Sequence, residues 1–370
     1  MEYMISTNFQ DDLIPHLKRY GVSEVYGKLP EDCIGGGRPS HILPQIDREQ
    51  LSSHVARLHE NNIDFNYVLN AVNMDNREFT RAGKDTIHEL LEFLTEAKTN
   101  SVTVAIPFLF EFIKKYYPHF AIHTSSFAMV NSPEKAQYWE RLGTDKITLL
   151  SKEVNRDFPM LKAIRKSVRC ELQVIGNNAC LENCPIDYYH HHLNTNASHT
   201  GRHDDEKAGK LDYCILYCNH ERFANPMGFI RSDWIRPEDV HYYEEIGIDS
   251  LKLVDRSMPT SDLARIIEAY ANRRYDGNLL DILHVHFKRH LEILSLTMKD
   301  EQSPGDLVYV NNRDLDGFLD YFVEKDRRLE TKENYMYYLK TAKKVVQIDP
   351  AFKREISSAY KHAKNELFLN

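Results

Sequence analysis

Val102-Thr-Val-Ala-Ile106, Phe120-Ala-Ile-His-Thr124, Lys146-Ile-Thr-Leu-Leu150 and Glu171-Leu-Gln-Val-Ile175 are four short runs rich in β-branched and other apolar residues. Between them lie LFEFIKKYY (109–117), PEKAQYWERL (133–142) and MLKAIRKSV (160–168), whose apolar residues recur at helical spacing. Strand followed by helix, repeated, is the rhythm of a parallel sheet, in which each helix carries the chain back to begin the next strand. The rhythm extends backwards through helices at 85–99 and 48–61 and strands at Asp64–Asn70 and Val22–Tyr26. Forwards it reaches strands at Gly228–Ile235 and Ser250–Val254. Eight strands predict an α/β fold closed into a (β/α)8 TIM-like barrel. The alternative is an open doubly wound sheet, which often carries a glycine fingerprint after its first strand, and Gly35-Gly36-Gly37 lacks that spacing.

The barrel is expected over residues 1–258, with the last barrel helix and a helical extension over 259–370. In the extension, Tyr309, Phe318, Tyr321, Phe322, Tyr335, Tyr337 and Tyr338 offer an aromatic face. That face is expected to bury against the barrel or against a second subunit in a homo- or hetero-dimer. The formal charge of the 370 residues is −8, which argues against a broad, sequence-independent grip on nucleic acid. The opening MEYMISTNFQDDLIPHL shows no basic segment followed by an apolar one, and no apolar run reaches membrane-spanning length. A cytoplasmic protein without a membrane partner is expected.

Four of the six cysteines form two close pairs, Cys180-x3-Cys184 and Cys214-x3-Cys218. Two such pairs joined by a polar loop can bring four thiolates around one metal centre, and soft sulfur ligands select an iron–sulfur cluster or zinc. The spacing leaves both open. Cys33, in the loop after the first predicted strand, and Cys170, at the amino end of the sixth, are expected to stay outside the centre. The loop between the pairs carries His190, His191, His192, His199 and His203 and reads as a lid. His190 and His199 are its candidates for acid–base work.

In a barrel, function lies in the loops at the carboxyl ends of the strands. The residues placed there include Arg38 after strand one, Asn70 and Arg77 after strand two, and Asn155 and Arg156 after strand five. Arg236 and Glu238 follow strand seven and Arg256 follows strand eight. Arg38, Asn70, Arg77, Arg156, Arg236 and Arg256 are expected to line one pocket, where several guanidinium groups would favour a substrate bearing carboxylates.

Gly37-Arg38-Pro39, Asn66-Tyr67-Val68-Leu69-Asn70, Asn155-Arg156-Asp157-Phe158, Asn177-Asn178-Ala179-Cys180-Leu-Glu-Asn-Cys184-Pro185, Ser198-His199 and Ile235-Arg236-Pro237-Glu238-Asp239 together resemble the signatures of the peptidase U32 family. The resemblance implies a barrel-type catalytic domain and, through the four cysteines, a [4Fe–4S] cluster. It also implies oxygen-independent hydroxylation, in some members with prephenate as hydroxyl donor and RNA or a quinone precursor as acceptor. No nucleophile elbow and no HExxH helix supports the peptidase label. The expected function is therefore a cluster-dependent hydroxylase or related oxidoreductase acting on a small molecule or peptide. The alternatives are a metal-dependent peptidase or hydrolase, and a non-catalytic cluster protein. Tight binding to bulk RNA is not expected, because the barrel-mouth arginines are isolated and Lys and Arg are outnumbered by Asp and Glu.

Overall fold

The structure, a computed structural model, describes residues 1–199, 213–254, 256–285, 290–292, 294, 296, 304–325 and 331–369. Eight parallel strands close into one barrel in chain order. They are β1 (Glu2–Ser6), β2 (Glu24–Gly27), β3 (Asp64–Leu69), β4 (Ser101–Val104), β5 (Ala121–Thr124), β6 (Lys146–Thr148), β7 (Glu171–Ile175) and β8 (Ser250–Leu253). Closure comes from β1, which pairs with β2 (Met4 with Glu24) and with β8 (Met4 with Lys252). Around the strands lie α1 (Ile14–Arg19), α2 (Arg48–Glu60), α3 (Arg81–Glu96), α4 (Pro107–Tyr116), α5 (Pro133–Leu142), α6 (Ser151–Val154) and α7 (Phe158–Ser167). The remaining barrel helices are α8 (Asp187–Asn196), α9 (Tyr213–Ala224), α10 (Met227–Arg231), α11 (Val240–Ile246) and α12 (Thr260–Ala271). No described helix is long and apolar enough to cross a membrane.

Two members of the strand set differ from the sequence reading. β1 lies in the leading segment, and Gly228–Ile235 forms no strand: it contributes to α10 and an irregular segment after it. Phe229, Ile230, Trp234 and Ile235 are all buried, so this segment is apolar because it is enclosed on every side, not because it alternates across a sheet. β1 was obscured because it is short and buries both faces, Ile5 in the main core and Met4 inside the barrel.

The strands point most of their apolar residues outward, where Ile5, Val25, Phe65, Val102, Ile122, Ile147, Leu172 and Leu251 join the main core, while Met4, Tyr26 and Val68 form a small separate apolar cluster. Inward they carry polar groups that satisfy one another. Asn66 donates to Ser101 Oγ at 2.7 Å, Ser101 donates to Glu24 Oε1 at 2.6 Å and Thr103 donates to Asn66 Oδ1 at 2.6 Å. Lys146 pairs with Glu24 at 3.5 Å, and Thr148 and Ser250 are bridged by Gln173. Burial pushes the His123 imidazole beside this network down to about 4 and the Lys252 ammonium down to about 7. The network closes the barrel interior, so a reactive site has to sit at its mouth.

The extension contains α13 (Pro304–Leu307), β9 (Val308–Val310), α14 (Asp320–Glu324), α15 (Lys332–Val345), β10 (Val346–Ile348) and α16 (Pro350–Leu369), with β9 and β10 paired antiparallel. Phe318, Phe322 and Tyr338 are buried, and the rings of Phe318 and Trp234 lie 5.9 Å apart. α16 packs on α9: His220 stacks on Tyr360 at 3.7 Å and Phe223 meets Phe352 edge-on at 5.6 Å.

Candidate functional site

Cys214, Cys218 and Arg222 recur every four residues on α9 and so share one face of the helix. Cys180 and Cys184 lie in the loop after β7. That loop is hung from the end of β8 by Asn177, whose Oδ1 accepts from Val254 N at 2.8 Å and whose Nδ2 donates to the Val254 carbonyl. It is also paired with a late segment, since His284 N donates to Asn177 O at 2.7 Å and Ala179 N to His284 O at 3.3 Å. The loop and α9 bring all four cysteines to one cavity of about 100 Å³, which Arg38, Lys152, Asn178, Asp187, His190, His191, Arg222 and His284 also line.

Two sulfurs in this cavity already face N–H groups. Asn178 Nδ2 lies 3.3 Å from Cys180 Sγ and Arg222 Nη1 lies 3.7 Å from Cys218 Sγ. Arg222 is 3 % exposed. It also donates to Asn219 Oδ1 at 3.0 Å and to the Ala179 carbonyl, tying the two cysteine segments together. Burial pushes the Cys184 and Cys218 thiols above their ordinary range. Three cations, Arg38, Lys152 and Arg222, thus face one carboxylate, Asp187, which pairs with Lys152. Such a lining favours anions.

Arg38 Nη2 donates to His284 Nε2 at 3.1 Å, which leaves the His284 proton on Nδ1. Burial lowers the His190 imidazole to about 4, aided by the Arg38 charge, so His190 is neutral near pH 7. His191 is lowered for the same reason and stacks on Phe127 with ring centres 3.9 Å apart. Neutral imidazoles beside a guanidinium can accept or pass a proton while Arg38 holds an anionic group.

The other residues singled out from the sequence lie elsewhere. His199 is fully buried beneath the mouth loops: Arg77 donates to its Nδ1 at 2.6 Å and its Nε2 reaches Asn73 O at 3.3 Å. That arrangement fixes a neutral tautomer, and the pair pins loops together. Asn70 Oδ1 accepts from Gly37 N at 3.0 Å, holding the glycine turn that presents Arg38. A side chain at Gly37 would meet the Phe127 ring at 2.8 Å.

Asn155 donates to the carbonyls of Ile175 and Asp233, and Arg156 donates to Ile230 O at 2.5 Å with its guanidinium 4.5 Å from the Trp234 ring. Both secure the segment after α10. Arg236 pairs with Asp239 at 2.8 Å and Asp316 at 3.0 Å, while Glu238 accepts from Tyr275 N and Asn312, so these two clamp the extension. Arg256 is buried, where its charge acts on Lys28 and Lys252. Of the six residues expected to line one pocket, the cysteine cavity includes Arg38. Cys33 donates to Thr86 O and Cys170 lies beside Glu140; burial pushes both thiols up to about 12, and neither lines the cavity. His203 lies outside the described residues.

Sequence reasoning passed over Arg222, Asn178, Lys152 and His284. The four-residue step from Cys214 through Cys218 to Arg222 is a signal that could have found the first. His284 has no local signal, since only the long-range pairing with Asn177 and Ala179 brings it in.

The model of peptidase family U32 matches residues 40–278, from the turn after Arg38 to the segment beyond α12. An uncharacterized protease of Methanocaldococcus jannaschii is 31 % identical over 301 residues, 81 % of this chain and 82 % of that protein. A U32 peptidase of known structure superposes with a TM-score of 0.51 at 20 % identity, covering 69 % of this chain and 93 % of the other; it shares the barrel fold. With strands β3 to β8 and both cysteine pairs inside the matched region, and with the Methanocaldococcus jannaschii relative aligned over 81 % of this chain, the chain belongs to peptidase family U32.

Proposed function

We propose that this protein is an iron–sulfur-dependent, oxygen-independent hydroxylase or related oxidoreductase acting on a small molecule or peptide. The observation that carries the reading is the convergence of Cys180, Cys184, Cys214 and Cys218 on one cationic cavity beside Arg38, His190 and His284. The residues suit a cluster better than a single zinc. Four thiolates leave a single zinc no open position for a substrate or water, whereas an iron–sulfur cluster carries redox chemistry of its own with all four cysteines bound. A cluster spreads its four ligands over a wider core. Asn178 and Arg222 supply the N–H groups to sulfur that tune such centres.

When bound, an iron–sulfur cluster supplies electron transfer and Lewis-acidic iron. Arg38 binds and orients a carboxylate of the substrate or of a hydroxyl-bearing co-substrate such as prephenate. His190 and His284, neutral beside it, hold or accept the proton that moves. In the exchange, a C–H bond of the acceptor and a C–OH bond of the donor break while acceptor C–OH and donor C–H form, so no outside oxidant is consumed. A cysteine-peptidase form of the reading that the relatives' names carry needs an activated thiolate, and burial raises both thiols outside the cavity instead.

The test compares metabolites and peptides of anaerobically grown cells with and without the gene. One species is expected to lack an oxygen atom in the deletion strain and to recover it with the wild-type gene but not with Cys184→Ser. Full recovery with Cys184→Ser would overturn the reading.

A further inference from the structure

α8 separates two cavities. Asp187, His190, His191 and Asn194, at helical spacing, line the cysteine cavity, whereas His192 and Asn196 line an open cavity of about 420 Å³ on another face. The opposite wall of this outer cavity is the segment after β3, with Asn73, Asp75, Asn76 and Glu78. Among the described residues no lysine or arginine lines it. Arg77, between the two acidic residues in sequence, turns its guanidinium inward to His199 Nδ1 and the Met74 carbonyl. His192 Nδ1 accepts from Asn73 Nδ2 at 3.0 Å, so that nitrogen carries no proton.

Glu78 provides the second observation. The residue is 7 % exposed, and its Oε2 is buried with no hydrogen-bond partner among the described residues. A buried carboxylate oxygen is normally satisfied, and one that is not, in the wall of a cavity, awaits a donor. An organic cation rich in N–H groups supplies such donors, and Asn73, Asp75 and Asn76 in the same lining offer it further oxygen acceptors. Outside the lining itself, the exposed Tyr188 lies against the lining residue His192 with ring centres 4.4 Å apart.

We propose that the outer cavity binds an ammonium or guanidinium group, of the kind borne by a lysine or arginine side chain of a peptide or by a free diamine. This site stands on its own residues and does not depend on what the cysteines hold. Calorimetric titration of the full-length protein with Nα-acetyl-lysine methylamide, Nα-acetyl-arginine methylamide and putrescine tests it, with Nα-acetyl-norleucine methylamide as the uncharged control. At least one cation is expected to bind saturably and the control not at all. Affinity is expected to fall about tenfold or more in Glu78→Gln and in Asp75→Asn and to be unchanged in Arg38→Ala, which alters the cysteine cavity. Tighter binding of the amino-acid amides assigns a polypeptide source, and tighter binding of putrescine a free amine. Absence of saturable binding by all three cations, or binding preserved in both carboxamide variants, overturns the proposal. If Glu78→Gln does not fold, Asp75→Asn, at an exposed position, decides alone. Iron content of the same preparations reports separately on the function proposed above.

Discussion

Replacing Arg222 by methionine removes a buried guanidinium while keeping most of its stem. The lost contacts are those to Cys218 Sγ, Asn219 Oδ1 and the Ala179 carbonyl. Among the described residues no carboxylate pairs with Arg222, so its counter-charge has to come from sulfur. In the metal-free protein, burial keeps the neighbouring thiols protonated, and the substitution relieves an uncompensated buried cation as well as breaking hydrogen bonds. The two effects oppose, leaving a net cost of about 1–2 kcal/mol. In the loaded protein the sulfurs are anionic, and loss of a charge-assisted hydrogen bond adds about 1.5–3 kcal/mol. That difference amounts to roughly a tenfold to hundredfold weaker hold on the metal. Anaerobic competition with an iron chelator, followed by loss of visible absorption, measures it. Equal chelation in wild type and Arg222→Met, with metal-free stabilities within about 1 kcal/mol, would refute the reasoning.

Arg236→Met leaves Asp239 buried without its partner and should cost about 3–5 kcal/mol in a urea unfolding midpoint, with iron per folded chain unchanged because the residue clamps the extension. Phe352→Ala removes the ring against Phe223 and should cost about 3–5 kcal/mol; by loosening α9 it should also lower iron content in the same preparation. His123, held near 4 in the folded state and near the ordinary 6.5 when unfolded, binds its proton more readily unfolded. Its contribution is therefore complete above about pH 6.5 and is lost as pH falls towards 4, by roughly 3 kcal/mol. Urea unfolding of His123→Asn across this window should show a shallower loss of stability than wild type.

The barrel was legible because β4 to β7 and their helices repeat one pattern of burial, with polar positions turned inward and apolar ones outward. The ends of the barrel were not. β1 is five residues at the chain terminus, and Gly228–Ile235 imitates a strand because packing encloses it from all sides; the two misreadings offset each other in the count of eight. Cysteine spacing mapped onto one helix and one loop because Cys214 and Cys218 differ by about one helical turn. The arginines were harder to place, since sequence position gives the loop but not the direction of the side chain. Arg38 enters the cavity, yet Arg156 and Arg236, in equally polar loops, turn to backbone carbonyls, an indole face, the buried Asp239 and the exposed Asp316.

Iron and acid-labile sulfide per chain, measured on anaerobically purified protein, test the central claim most directly. About four of each are predicted in wild type, Cys33→Ser and Cys170→Ser, and a collapse of both in Cys218→Ser. A single zinc per chain without sulfide, or iron that survives Cys218→Ser but is lost in Cys33→Ser, would contradict the account.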